Sequence, residues 1–482
     1  MEIIKLEKVN EVYNKVICEP GVGYEIKDYF TFKVPNYQFM PAYKNKLWDG
    51  NIYLFNPMNC LLYGGLTEQL EIFCKSRDYK LELLSDFSSD NMSVKETLDF
   101  VKSLNLPFQP REYQLEAFVR CVRSRRKMLL SPTGSGKSLI IYLLSRFYNL
   151  RTLIIVPTTS LIHQMASDFL SYGYSDPDNI HKIYQGQDKN IKSQFVISTW
   201  QSIFKQPKDW FNQFDVVIGD EAHLFKAKSL TSIMTKLETC KYRFGFTGTL
   251  DGSETHQLVL EGLFGPVKKI ITTSELIEQK HLSNFMIKCI SLQYPDDIKK
   301  ECSKYSFQQE MDFLVSNQER NKFITNLSLS LKGNTLLLFQ YVDKHGKVLY
   351  DMISNEHSDK DIYFVHGGID GNDREKIRNL VEKNNNSIII ASYGTFSTGI
   401  NIKNLHNIIF SSPSKSKVRN LQSIGRGLRL SDNKEQAVLY DISDDLSWKE
   451  RKNFTLLHYI ERVKIYNEEQ FEYKTYKINI NT

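Results

Sequence analysis

A chain of 482 residues is longer than one ordinary domain and predicts about three. With 41% hydrophobic and 24% charged residues, and no apolar run of about eighteen, it reads as a water-soluble protein with no membrane span and no membrane partner. A net charge of +6 permits a polyanionic partner without demanding one. The seven scattered cysteines form no C-x-x-C pair, which argues against a zinc site or a disulfide framework and fits a reducing cytoplasm. The first residues lack the basic and apolar runs of a secretory signal.

Residues 1–95 are expected to form a small α+β domain. Segments 30–34 and 51–55 read as strands, and Leu66, Leu70, Ile72 and Phe73 are available for one side of a helix over 66–76. The polar stretch 85–93 reads as a linker. Aromatics are dense between Tyr29 and Trp48 and interleave with Lys33, Lys44 and Lys46. Such residues can stack bases and hold phosphates, and they can equally be core. From about residue 110 the pattern becomes apolar strands separated by helices, with strands at 128–131, 152–156, 194–198, 215–219 and 242–247. Near-continuous β-rich runs suit strands buried on both faces of a parallel sheet, so a doubly wound α/β domain is predicted. Five further runs, 335–339, 362–365, 387–390, 407–410 and 437–440, predict a second such domain. The mixed, charged stretch 273–330 reads as the segment that joins them. The implied division is 1–95, 96–275 and 276–482, the last with a C-terminal helical extension.

The segment Ser131-Pro132-Thr133-Gly134-Ser135-Gly136-Lys137-Ser138 lies between an apolar strand and an apolar helix. Gly134 and Gly136 allow a tight turn in which successive N–H groups point at one anion, and the helix that follows adds its positive end. In such a loop Lys137 reaches the β- and γ-phosphates and the Ser138 hydroxyl ligates Mg²⁺. A nucleoside triphosphate is therefore the expected ligand. Asp220-Glu221-Ala222-His223 follows the apolar run 216–218, where a parallel sheet presents ligands. Asp220 can hold Mg²⁺ and Glu221 can polarise the water that attacks the γ-phosphate. Two basic clusters accompany these motifs: Arg120, Arg123, Arg125, Arg126 and Lys127, then Lys415, Lys417, Arg419, Arg426 and Arg429.

These two motifs, with Thr247-Gly248-Thr249 and Gln422-Ser423-Ile424-Gly425-Arg426-Gly427-Leu428-Arg429 in the same order, resemble motifs I, II, III and VI of superfamily 2 helicases over about residues 108–445. The resemblance implies two tandem RecA-like doubly wound domains preceded by a small α+β nucleic-acid-binding domain. It implies ATP and Mg²⁺ as cofactors, bound through Thr133, Gly134, Ser135, Gly136, Lys137 and Ser138. Arg111 and Gln114 correspond to the adenine-contacting element, and Gly399 lies in motif V. Nucleic-acid contacts would fall to Thr158 and Thr159 (motif Ia), Thr199, Trp200 and Gln201 (motif Ib), and Ser392, Tyr393 and Thr395 (motif V). A lone tryptophan such as Trp200 is otherwise a core or lid residue. His223, Thr247, Thr249 and Gln422 would couple hydrolysis to the strand, and one or both of Arg426 and Arg429 would act as arginine fingers on the γ-phosphate.

The aromatic N-terminal module further resembles that of the recombination and repair helicases of T4-type bacteriophages. This implies ATP-driven unwinding and branch migration of forks, Holliday junctions, D-loops and RNA–DNA hybrids. The cytoplasm of an infected host, a monomeric state, and phage recombination or single-strand-binding proteins as candidate partners follow from the same likeness. Rival readings are a restriction-system translocase, an RNA helicase, and a DNA-annealing protein that uses ATP only as a switch.

Overall fold

The computed structural model describes residues 2–35, 37–87, 92–224, 227–250, 254–356, 359–395, 402, 404–412, 416–428, 434 and 436–480. It divides into two compact units, Met1–Ser131 with Gly136–Ile270, and Ile271–Thr482 with the loop residues Pro132–Ser135. Among the described residues no helix is long and apolar enough to cross a membrane.

In the first unit, runs of β-branched and apolar residues form a seven-stranded sheet. Its order is Ile180–Ile183, Phe195–Thr199, Thr152–Val156, Val216–Gly219, Tyr242–Thr247, Arg126–Leu130 and Val267–Lys269. Every pairing is parallel. Thr152–Val156, Phe195–Thr199 and Val216–Gly219 are buried along their whole length, as a sheet covered on both faces requires. The five expected strands are present. Two short edge strands, Ile180–Ile183 and Val267–Lys269, carry polar and basic residues that masked them.

The N-terminal segment builds its own mixed five-stranded sheet and a separate two-stranded pair, Thr31–Lys33 with Asn51–Tyr53. The helix Thr67–Ser76 buries Leu70 and Phe73, with Leu66 just before it, but leaves Ile72 53% exposed. Positions 66, 70 and 73 share one helical face and 72 does not, which corrects the expected set. The segment shares one hydrophobic core with the sheet beside it: Leu66, Leu70 and Phe73 lie in the same cluster as Leu260, Leu263 and Phe264. Gly65 is pressed against the main chain of Glu261, where a Cβ would collide with the carbonyl. The Gln69 amide donates to Glu261 at 3.2 Å, and Arg126 donates to the Glu11 carbonyl at 2.8 Å.

The second unit repeats the architecture. Its sheet runs Asp361–Val365, Ser387–Ser392, Thr335–Phe339, Asn407–Phe410, Gln436–Asp445, Asn284–Gln293 and Tyr473–Asn479, all parallel. The stretch 273–330 is thus not a joining segment. It supplies the ten-residue strand Asn284–Gln293 and the helices Asp296–Cys302, Phe307–Ser316 and Gln318–Ser330. Lys288 disguised that strand, although its ammonium rests 5.3 Å from the Tyr440 ring centre while its stem covers apolar surface. The C-terminal extension is a helix, Phe454–Glu468, followed by the edge strand Tyr473–Asn479 rather than helix alone.

Two fully buried arginines brace this unit. Arg320 donates to Asp444 at 2.8 and 3.0 Å and to the Ser411 carbonyl at 2.8 Å, and the Tyr294 hydroxyl donates to the same carboxylate at 2.8 Å. Arg462 pairs with Asp441 at 2.7 Å, and the Tyr466 hydroxyl donates to it at the same distance. Removing one partner of such a pair strands a buried charge, which costs about 3–5 kcal/mol. Arg320→Met is therefore expected to lower the stability of the second unit by about that amount, read as a lower denaturant midpoint in the full chain.

Candidate active site

The motifs converge because parallel strands end on the same edge of their sheet. The phosphate loop leaves the strand Arg126–Leu130, and Asp220 leaves Val216–Gly219, two positions away in the sheet. The strand between them, Tyr242–Thr247, ends at Thr247. Backbone bonds continue past the strand ends, from Ser131 N–H to the Thr247 carbonyl and from Asp220 N–H to the Ile155 carbonyl, each 2.9 Å. The loop turns as its glycines allow, with φ of +87° at Gly134 and +77° at Gly136. A side chain at Gly136 would run into the Gln114 carboxamide.

Lys137 opens the helix Lys137–Tyr148, and its ammonium donates to the Ser131 carbonyl at 3.3 Å and pairs with Glu221 at 3.2 Å. The Glu221 side chain is 17% exposed, and its Oε2 has no hydrogen-bond partner among the described residues, although His223 Nδ1 lies 3.5 Å away. Burial works to raise the Glu221 pKa. The Lys137 ammonium and then His223 outweigh it and hold the group below its usual value. Asp220, 7% exposed, is pushed up to about 7 by burial and by the neighbouring Glu221 carboxylate, with Lys137 opposing. Glu221 also holds φ +50°, a left-handed conformation that a residue bearing a Cβ adopts at a cost.

From Glu221 a buried polar path runs on. His223 Nδ1 bonds the Thr247 hydroxyl, which donates to the Thr249 carbonyl at 2.8 Å. Since the threonine proton goes to that carbonyl, the imidazole N–H at Nδ1 is the donor to Thr247. Thr249 N–H returns to the Thr247 oxygen at 3.4 Å. The bonded pair Lys137–Glu221 and the bonded group His223, Thr247 and Thr249 thus meet at the 3.5 Å contact between Glu221 and His223, in a path from the phosphate loop to the end of the adjacent strand.

The remaining expected residues fall out as follows. Gln114 is buried and accepts from the Arg111 backbone N–H at 2.9 Å, while the Arg111 guanidinium donates to the Tyr113 hydroxyl at the same distance. Ser135 is buried beside half-buried Thr133 and Gly134. Thr158 and exposed Thr159 begin the helix Thr159–Ser171. Thr199 is buried, with its hydroxyl 2.9 Å from that of Ser202, and exposed Gln201 donates to the Pro157 carbonyl at 3.4 Å. Trp200 is half-buried against the core, 6.3 Å from the Phe204 ring. The Tyr393 ring is 2% exposed and its hydroxyl donates to the Ser412 carbonyl at 3.1 Å, so its side chain packs as core. Thr395 is also buried, donating its N–H to the half-buried Ser392 hydroxyl, which in turn donates to Thr395 Oγ1 at 2.8 Å. Gln422 and Arg426 lie on the helix Lys417–Gly427. Gly399 and Arg429 lie outside the described residues.

Sequence reasoning did not find Tyr172. Its hydroxyl sits 2.7 Å from Ser138 Oγ, and its ring meets Tyr142 and Phe108 edge-on at 5.5 Å. No sequence signal marks it, because it caps a helix far along the chain from the loop it touches. The donor set fits a nucleotide with a dication. It offers a backbone nest, a lysine, a hydroxyl, a buried carboxyl that a nearby positive charge would ionise, and an orphaned carboxylate oxygen. Gly136→Ala tests the geometry directly. A strained φ and a collision with Gln114 are expected to weaken binding of a fluorescent ATP analogue at least about tenfold, with the melting temperature nearly unchanged.

The family model described as DNA helicase UvsW, N-terminal, matches residues 4–84. The model for the type III restriction enzyme res subunit matches 107–252, and that for the helicase conserved C-terminal domain matches 319–431. The ATP-dependent DNA helicase uvsW of Enterobacteria phage T4 is 35% identical over 97% of both chains. The crystal structure of T4 UvsW aligns over 99% of this chain and 100% of its own, with 33% identity and a TM-score of 0.52. The DNA 3'-5' translocase XPB2 of Sulfurisphaera tokodaii is 25% identical over 69% of this chain and 81% of its own. On identity that extends through nearly its whole length, the chain belongs to the UvsW family of superfamily 2 ATP-dependent DNA helicases.

Proposed function

We propose that this ATP-driven helicase unwinds and branch-migrates branched DNA, namely forks, Holliday junctions and D-loops, together with RNA–DNA hybrids, in phage recombination, replication and repair. The observation that carries the reading is the connected path from Lys137 through Glu221 and His223 to Thr247 and Thr249. A protein that used ATP only as a switch would have no need to tie its hydrolytic carboxylate to a strand end. The family match over residues 4–84 favours the phage DNA helicases over an RNA helicase. The working division is residues 1–95 for nucleic-acid binding, 96–275 for the ATP site, and 276–482 for the second motor domain. The protein works as a monomer in the cytoplasm of the infected host, with phage recombination or single-strand-binding proteins as its partners.

In the mechanism, backbone N–H groups of residues 133–138 and the Lys137 ammonium grip the phosphates. Ser138 and, through water, Asp220 would hold Mg²⁺, which would supply charge neutralisation to the triphosphate. When phosphate takes up Lys137, Glu221 is released from its ion pair and polarises the attacking water. Arg426 and Arg429 stabilise the charge that develops on the γ-phosphate. His223 reports the state of Glu221 to Thr247 and Thr249. Thr158, Thr159, Thr199 and Gln201 hold the nucleic-acid backbone.

ATP hydrolysis and unwinding, measured on fork, Holliday junction, RNA–DNA hybrid and plain duplex, test the reading. Branched and hybrid substrates are expected to stimulate hydrolysis, and Lys137→Ala to abolish it. Glu221→Gln should cost at least about 100-fold in hydrolysis while nucleotide still binds; hydrolysis at the normal rate removes Glu221 from the base role. Indifference of hydrolysis to every nucleic acid would sink the helicase reading. A second test concerns Ser138: a proton that the Tyr172 phenol, 2.7 Å away, gives to its Oγ competes with the metal for the hydroxyl's lone pairs. Tyr172→Phe removes that competition and is expected to tighten Mg²⁺–ADP by about two- to tenfold in calorimetric titration, whereas Ser138→Ala weakens it.

A further inference from the structure

The excursion between the paired strands Thr31–Lys33 and Asn51–Tyr53 is closed on itself, yet it displays apolar side chains outward. Its base is fixed. Phe32 and Ile52 face each other across the pair and pack on the core shared with the phosphate-loop sheet. Its frame is stiff. Val34 N–H bonds the Gly50 carbonyl at 2.9 Å, and Leu47 N–H bonds that of Ala42 at 2.9 Å. The Trp48 indole donates to the Asn51 carbonyl at 2.7 Å. The Tyr37 and Tyr43 rings meet edge-on at 4.7 Å, and Gly50, with φ +85°, lets the chain pass directly beneath Tyr37.

On this frame Phe39 is 68% exposed, Leu47 80% and Met40 38%. Single exposed hydrophobics need no explanation, but three on one self-packed projection do. Lysines share the excursion with them. Lys33 lies 4.6 Å from the Tyr37 ring centre, and Lys44 and Lys46 pair with no carboxylate among the described residues, while the Asp49 carboxylate is taken up by Asn51 and Tyr53. Exposed apolar side chains and lysines on one projection match a polymer whose flat apolar faces alternate with phosphates, which is nucleic acid with its bases unpaired.

We propose that residues 34–50 form a wedge whose tip, Phe39 and Leu47, stacks on unpaired bases at the branch point while Lys44 and Lys46 hold the flanking phosphates. The inference rests on the branched-DNA reading above and names the element that meets the junction. Because the base of the wedge shares a core with the phosphate-loop sheet, the wedge travels with the ATP site instead of trailing on a linker.

The full-length protein with Phe39→Ala and Leu47→Ala together is the test, with Phe39→Tyr as the conservative variant. Fork opening per ATP hydrolysed is expected to fall about tenfold in the double variant and to persist in Phe39→Tyr. A 2-aminopurine base placed at the fork should lose its protein-induced quenching in parallel. Fork opening per ATP and quenching that both match the unaltered protein overturn the wedge and leave the motor reading standing. So does loss of binding to a protein partner while forks open at the full rate. Failure of any DNA to stimulate hydrolysis in the unaltered protein overturns both.

Discussion

Lys137 and Glu221 meet at 3.2 Å although they begin from different strands, and the ammonium is what favours the charged carboxylate against its burial. Glu221 is held in a left-handed backbone conformation to reach the lysine, and Lys137 is steadied from behind by the Ser131 carbonyl. The pair is therefore poised rather than inert. Against the effect of burial, the ammonium is the main influence that depresses the Glu221 pKa. His223 is the second group that stabilises that charge, and it is already bonded to Thr247. One imidazole therefore lies between Glu221 and the end of a neighbouring strand.

The sheet makes this possible. Strands buried on both faces have little freedom to slide, because a register shift exposes apolar rows and breaks a full ladder of bonds. The second unit meets the same requirement with charge. Arg320 ties Asp444, at the end of Gln436–Asp445, to the Ser411 carbonyl, just past the end of Asn407–Phe410. In the chain the helix Lys417–Gly427, with Gln422 and Arg426, runs between those two strands. One buried guanidinium thus adds a side-chain brace to the paired strands from which the arginine-bearing helix departs and to which it returns.

Most of this was legible because the informative signals are local. Unbroken runs such as Thr335–Phe339 predicted buried parallel strands, and glycines at fixed spacing predicted the phosphate loop. What escaped is non-local. Asn284–Gln293 reads as mixed because Lys288 and Ser291 interrupt it, yet its place in the sheet comes from pairing with Gln436–Asp445, far along the chain. Tyr473–Asn479 is an almost wholly exposed edge, so its strand state is imposed by its neighbour and leaves no periodicity of burial to read. Tyr393 has the spacing of a strand-contacting residue and the burial of a core one, and spacing alone cannot separate the two.

The N-terminal segment shows the limit most sharply. Its aromatics are a single class in the sequence but three classes in the structure. Phe30, Phe55 and Phe73 are fully buried, Tyr37 and Tyr43 stiffen a projection, and Phe39 is left in solvent. Packing of Tyr63 and Leu66 against the helix Glu254–Phe264 turns an appended module into part of the ATP-binding unit, with Gly65 allowing a main-chain approach that a Cβ would forbid. Fusion by a shared core, unlike attachment by a flexible linker, forces whatever the module touches to follow the sheet that holds the phosphate loop. A contact of modest affinity then suffices at the module, since its position is fixed by the fold rather than won by binding.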